Sequence, residues 1–398
     1  MRFLAILALV AVMGLSAPRG AEAGCAVGDL PCACAQAGGR WRDLKKPLEP
    51  TCTVTFKHQG RDRTFNIFFP RNYNPSKAYP VWVHMHGVYW ATMGDISRTM
   101  NYTVPSSDAT PVWDTLATGS YRDAAIIIYP QATSPYGDLN RRTFWSIPFW
   151  RCSVGDCIDS SIDDVGYVEA IFNQLPARAN VDPKRIYITG TSAGGMMLEN
   201  LLCSSSLISS KIAAAVDIIG GIGTPMKGKC AVPAAATAAG RRRVPFRILH
   251  GTEDSVLYWD RPTVVDGAPF LSTKEAGAMW KDLYGCAADA DRQVWADKTT
   301  TCTSLCDPSK GRTLDLCGMK GVGHDLNTPY QGYPFSVAWD FLSKYTNDAA
   351  KKEGKREKPA KKEGKEAKEG KKEGAKKEGP KKEGPKKESL KKEKKVQY

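Results

Sequence analysis

Arg185-Ile186-Tyr187-Ile188-Thr189-Gly190-Thr191-Ser192-Ala193-Gly194-Gly195-Met196-Met197 is the stretch that decides the reading of this chain. A β-branched and aromatic run goes straight into Gly-x-Ser-x-Gly, and an apolar helical pattern with Met197, Leu198, Leu201 and Leu202 follows to about Cys203. Strand, sharp turn and helix are the context in which Gly-x-Ser-x-Gly presents an exposed serine hydroxyl. The positions two before and two after Ser192 must be tiny, because the neighbouring chain passes close. The start of the helix adds a positive dipole end. The backbone N–H of Ala193 can then face a developing oxyanion.

A serine hydroxyl needs a base. Of the five histidines, His58, His84, His86, His250 and His324, only the last two follow Ser192. Serine sites of this strand–turn–helix kind run Ser, then acid, then His along the chain. His324 sits in the Gly-flanked loop Gly321-Val322-Gly323-His324-Asp325 and fits as base. His250 has no well-placed acid before it. Asp254 follows the apolar strand Pro245–Leu249 and fits as the acid that orients the imidazole. Glu253 is its adjacent competitor, and Asp325 reads as structural. A second oxyanion donor should come from the loop after an early strand. His84-Met85-His86-Gly87-Val88 closes the run Val81–His84, and the Val88 N–H is the donor expected there. His84 and His86 are also spaced as two metal ligands on one strand face, but no acidic or thiolate partner accompanies them.

Working outward, the body alternates strand and helix. Strand patterns occur at Thr64–Phe69, Val81–His84, Ala124–Tyr129, Arg185–Thr189, Ala213–Ile219 and Val244–Leu249. Runs such as Ile126-Ile127-Ile128 belong in a sheet covered on both faces, which points to parallel strands. Asp163 is placed to cap a helix from Asp164 to about Ala179, with Val165, Val168, Ile171, Phe172 and Leu175 on its apolar side. The expectation is an α/β fold: one domain over residues 51–347 with a mostly parallel sheet and helices on both faces.

The two ends read differently. Residues 1–23, with Arg2, the apolar run from Leu4 to Leu15 and Ala21-Glu22-Ala23, read as a cleaved secretory signal. The apolar run is too short for a membrane span. Residues 348–398 repeat Lys-Lys-Glu-Gly and read as a disordered tail with nothing apolar to bury. Residues 351–398 hold 21 of the 56 basic residues and 10 of the 42 acidic ones, so the formal charge of +14 falls to +3 elsewhere. A nearly neutral body argues against nucleic acid as partner. The tail could hold the protein to an anionic surface. All 12 cysteines follow the signal, which in an exported chain suggests up to six disulfides. Cys152–Cys157 and Cys302–Cys306 are the plausible local pairs. Cys25, Cys32 and Cys34 lie in the N-terminal segment 24–50. They lack the further ligand a metal site requires. Asn101-Tyr102-Thr103 is a glycosylation sequon.

Taken together, several blocks resemble the esterase family of poly(3-hydroxybutyrate) depolymerases and feruloyl or acetyl-xylan esterases. They are His86-Gly87, Ile128-Tyr129-Pro130 and Asp163-Asp164-Val165-Gly166-Tyr167. Val181-Asp182-Pro183-Lys184-Arg185-Ile186-Tyr187, the Ser192 turn, His250-Gly251-Thr252-Glu253-Asp254 and Gly321-Val322-Gly323-His324 complete them. The resemblance covers about residues 50–345. It implies an α/β-hydrolase fold and a secreted, extracellular or periplasmic, serine esterase without cofactor or metal. It assigns Ser192, Asp254 and His324 to the triad. Departures fall in the loops that line a substrate site. Asp325-Leu326-Asn327 stands where Trp-Pro-Gly is usual, Val88-Tyr89-Trp90 is bulky, and the cysteine count is high. Tyr89, Trp145 and Trp150 are the expected substrate-binding aromatics, part of a wall for a ring or polymer ester. A serine peptidase of the same fold, or a catalytically silent surface-binding protein acting through the tail, are the competing readings.

Overall fold

A computed structural model describes residues 24–42, 51–88, 123–136, 143–153, 155–230, 243–324 and 333–347. The expected signal, the tail, the sequon at Asn101, Tyr89 and Asp325 lie outside the described residues.

The strands are β1 (Arg40–Arg42), β2 (Thr51–His58), β3 (Arg61–Phe68), β4 (Tyr79–Met85), β5 (Ile126–Pro130), β6 (Cys152–Ser153), β7 (Asp156–Cys157) and β8 (Val181–Thr191). They continue as β9 (Ala214–Ile218), β10 (Phe246–Gly251), β11 (Thr263–Val265), β12 (Ala268–Phe270), β13 (Arg292–Ala296), β14 (Thr300–Ser304) and β15 (Leu314–Met319). The helices are α1 (Leu30–Gln36), α2 (Asp164–Arg178), α3 (Ala193–Ser204), α4 (Ser206–Lys211), α5 (Thr273–Tyr284) and α6 (Tyr333–Leu342).

Eleven strands form one sheet in the order β1-β2-β3-β5-β4-β8-β9-β10-β15-β14-β13. The six in the middle, β5 to β15, are mutually parallel, and antiparallel strands extend both edges. This is the α/β-hydrolase fold that the motifs imply. Alternation along each strand builds two cores. On β4, Val81, Val83 and Met85 face the layer with α2, α3 and α5, while Trp82 faces the layer with α6 and stacks on Trp339 at 5.5 Å. Helix α3 is buried at every position from Ala193 to Cys203. A helix buried on every side belongs at the centre of a layer, and this one lies behind the serine turn.

Local signals explain the helix ends. The Asp163 carboxylate accepts from Gly166 N–H at 2.8 Å, so α2 starts where the cap was expected. Ser272 and Glu275 form a capping box on α5. Strand β8 begins at Val181, four residues before the expected Arg185, because Val181 pairs with Tyr79.

All twelve cysteines are in disulfides: 25–32, 34–52, 152–157, 203–230, 286–306 and 302–317. The expected local pair Cys302–Cys306 is corrected. Cys302 lies on β14 directly opposite Cys317 on β15, and the extended strand carries it away from Cys306, which reaches Cys286 after α5. Among the described residues, no helix is long and apolar enough to cross a membrane.

Candidate active site

Ser192 stands between β8 and α3 with φ 52° and ψ −118°. A non-glycine residue at positive φ is strained, and the strain projects the side chain from the turn. Two close approaches hold it there. A Cβ on Gly190 would collide with the Gly194 carbonyl, and one on Gly194 with the Met85 carbonyl. The Ser192 N–H donates to the Ile218 carbonyl at 3.0 Å, tying the turn to β9.

The loops after β10 and β15 are joined to each other. Thr252 N–H donates to the Met319 carbonyl at 2.9 Å and Glu253 N–H to the Val322 carbonyl at 3.0 Å. This pairing sets Asp254 beside His324. Asp254 Oδ2 lies 2.7 Å from His324 Nδ1, and His324 Nε2 lies 2.9 Å from Ser192 Oγ. The structure therefore brings together the three side chains named from the sequence. Asp254 is buried while Glu253 is exposed, which separates the two competing acids. Both Asp254 oxygens are occupied. Oδ1 accepts from Val256 and Leu257 N–H, each at 2.8 Å. Burial pushes this carboxyl up, but hydrogen bonds from His250 and His324 outweigh it and hold it below the usual carboxylate range.

His250 is a residue that sequence reasoning left out. It is buried, with Nε2 2.7 Å from the Leu257 carbonyl and 3.1 Å from Asp254 Oδ2. Its signal was the four-residue spacing to Asp254 across the end of β10.

Gly87 passes beside the serine: a Cβ there would stand 3.3 Å from Ser192 Cβ. His86 fixes this segment from behind. Its Nε2 accepts from Ala132 N–H at 3.0 Å, so Nδ1 carries the hydrogen and donates to the Gly87 carbonyl at 2.6 Å. Carbonyl and N–H point opposite ways across a trans peptide. Holding the Gly87 carbonyl against the His86 ring turns the Val88 N–H away from that ring. Burial lowers His86 to about 4 and His84 to about 3, so both rings are neutral at physiological pH. His84 Nδ1 meets Thr189 Oγ1 at 2.7 Å. Among the described residues, no group of three His, Cys, Asp or Glu side chains is placed to hold a metal.

The expected aromatic wall does not form from Trp145 and Trp150, because both rings are buried. Asp164, paired with Arg63 at 2.5 Å, accepts from Ser146 N–H at 2.7 Å and draws this segment inward. Trp150 packs on Phe144 with ring centres 5.4 Å apart. Trp145 Nε1–H donates to the His86 carbonyl at 2.8 Å. Its place is behind the oxyanion segment. Trp145→Phe keeps an aromatic ring but removes that donor together with part of the buried indole. An unpaired buried carbonyl costs about 1–3 kcal/mol, so kcat on a short p-nitrophenyl ester is expected to fall about tenfold with KM little changed. An unchanged kcat would show that this bond does not hold the segment.

No family model matches the chain. It is 25% identical over 298 residues to a bifunctional acetylxylan esterase/xylanase of Neocallimastix patriciarum, covering 73% of this chain and 35% of that protein. It is 26% identical over 291 residues to feruloyl esterase B of Piromyces equi, covering 70% of this chain and 45% of that protein. Both relatives are esterases. They are of the kinds that the motifs around Ser192 and His324 point to. The chain thus spans less than half the length of either relative. Among solved structures, acetyl xylan esterase from Aspergillus awamori aligns at 16% identity over 73% of this chain and 98% of that one, with a TM-score of 0.45.

Proposed function

We propose that this chain is a secreted serine hydrolase of carboxylic esters that works through an acyl-enzyme. The observation that carries this reading is the continuous contact from Ser192 Oγ through His324 to Asp254, at 2.9 and 2.7 Å. Ser192 Oγ attacks the ester carbonyl carbon while its proton passes to His324 Nε2. The carbonyl electrons move onto oxygen, which the Ala193 and Val88 N–H groups receive. The intermediate collapses, the C–O bond to the alcohol breaks, and His324 returns the proton to the leaving oxygen. Water then repeats the sequence on the acyl-enzyme and releases the acid. Asp254 keeps the His324 Nδ1 hydrogen on its own side, so that Nε2 is free to accept. The fold supplies these groups at the C-terminal ends of parallel strands, where α/β sheets open a crevice.

The substrate we propose is an acetyl or feruloyl ester carried on a plant-wall polysaccharide. The two curated relatives support this class over a polyester. The cysteine pattern and residues 1–23 support export to such a substrate. Residues 348–398, rich in lysine, are proposed to hold the protein to anionic surfaces by charge. One panel tests these points on full-length mature protein and on a chain ending at residue 347. It contains p-nitrophenyl acetate, methyl ferulate, acetylated xylan and a poly(3-hydroxybutyrate) film. Turnover of acetylated xylan or methyl ferulate well above the film is expected, equal for both chains. Only the full-length chain should be retained on a carboxylated resin at low salt. Preference for the film would replace the substrate class, and equal retention would remove the tether.

A further inference from the structure

Two carboxyl groups that the proposed chemistry does not use lie beneath the serine turn. Glu199 on α3 and Asp217 on β9 are both fully buried, and each carboxyl lies close enough to bear on the other. Each carboxyl has one oxygen served by an N–H. Trp280 Nε1–H donates to Glu199 Oε2 at 2.7 Å, and Gly220 N–H donates to Asp217 Oδ1 at 3.0 Å. The other two oxygens, Glu199 Oε1 and Asp217 Oδ2, are buried with no donor among the described residues. Ionisable groups on the packed elements are engaged elsewhere. His250 on β10 contacts Asp254 and Leu257, and Tyr284 on α5 donates to the Val244 carbonyl. Glu275 on α5 closes the capping box, and Lys281 pairs with Asp291. Glu169 on α2 accepts from Ser205 beyond the end of α3, and Lys211 lies in the last turn of α4. Strands β4 and β8 present Val81, Val83, Met85, Ile186 and Ile188 to this layer.

Two touching carboxylates in a dry site cannot both be ionised. A hydrogen bond between two carboxyl groups needs one of them to supply the hydrogen. We propose that Glu199 and Asp217 share a single proton, and that this acid pair is a positioning device for the nucleophile turn. The positioning role rests on the esterase reading above; the shared proton does not.

The location explains the role. Asp217 is the register partner of Gly190, at the start of the Gly-x-Ser-x-Gly turn, and a Cβ on Gly195 would collide with Asp217 Oδ1. Glu199 follows Gly195 by one helical turn. The pair thus joins β9, which pairs with the strand entering Ser192, to the helix leaving it. Losing the proton places two like charges in contact and drives α3 from β9.

The pH sense follows from burial, which raises both carboxyls, Asp217 well above its ordinary range. The folded state therefore holds the proton more tightly than the unfolded chain. The stability it contributes is full below the ordinary carboxylate range and is lost as pH rises through the raised range of the pair.

Glu199→Gln and Asp217→Asn test this on the full mature chain. Each single amide donates one permanent hydrogen to the facing carboxylate, and its oxygen still accepts the N–H already present. Wild-type Tm is expected to fall between pH 6 and pH 9, and each single variant to flatten that fall. The alkaline limb of p-nitrophenyl acetate turnover should move to higher pH in Glu199→Gln. The double variant, with two NH₂ groups facing, should melt below either single. An infrared carboxylic-acid band should persist in wild-type protein at pH 6 in D₂O and vanish in the variants. This last measurement needs no change in the wild-type fold. A wild type without that band, or single variants with the wild-type pH dependence of Tm, would overturn the shared proton. An unmoved alkaline limb beside flattened Tm curves would overturn the positioning role. The expected Tm and infrared results in a protein that hydrolyses no ester would uphold the pair and overturn the esterase reading alone.

Discussion

Ser192→Ala is expected to lower kcat on p-nitrophenyl acetate by on the order of 10⁶ while the protein stays folded. The substitution removes one half-buried oxygen, whose hydrogen-bond partner is His324 Nε2. The Ser192 N–H bond to Ile218 survives, as do the close approaches at Gly190 and Gly194. Alanine also keeps a Cβ at φ 52°, so the strain of the turn is unchanged. Tm should therefore move little, and labelling by a fluorophosphonate should disappear. The residual rate should reflect binding and the oxyanion donors alone. A variant that is folded, still labelled and within tenfold of wild type would assign the nucleophile to another residue and remove the mechanism proposed here.

The serine turn was legible because its constraints are local. Gly190 and Gly194 are the two positions where a side chain would strike passing backbone, and the strand and helix around them carry ordinary apolar patterns. Five of the six central strands were legible for a related reason, while β15 at the far side was not read. Burial on both faces leaves an apolar run such as Ile126-Ile127-Ile128, all three buried. Of the antiparallel strands β3 shares this signal, read as Thr64–Phe69, but the outermost one beyond β15 does not. Strand β13 is mostly exposed and is held in the sheet by pairing with β14, so its residues need no alternation. Disulfide partners outside tight turns depend on register, which is why Cys302 meets Cys317. Trp145 shows a different limit. A tryptophan between two strand patterns suits a ligand wall or a core equally well by composition. Only the pull of Asp164 on Ser146, set by α2, decides that the ring turns inward behind His86. His250 was set aside because of chain order, yet order governs which residue is the base and not which residues touch the acid.

Asp254→Asn is expected to lower kcat by about 10⁴, mainly by inverting the His324 tautomer. Asp254 Oδ1 accepts two backbone N–H groups, so the amide oxygen of asparagine must take that side. The NH₂ group then occupies the place of Oδ2, 2.7 Å from His324 Nδ1. Nδ1 must become an acceptor, which moves the ring hydrogen to Nε2 and points it at Ser192 Oγ. The base then holds a hydrogen where it must accept one. The same NH₂ group faces His250 Nε2, which lies 2.7 Å from the Leu257 carbonyl. Two donors in contact in a buried site should also lower stability, and this separates Asp254 from a residue that only orients the ring. Glu253→Gln is the matched control. Glu253 is exposed and its backbone, not its side chain, joins the two loops, so turnover should stay within about twofold of wild type. Comparable losses in both variants would mean that the loop, and not the Asp254 carboxylate, is what His324 requires.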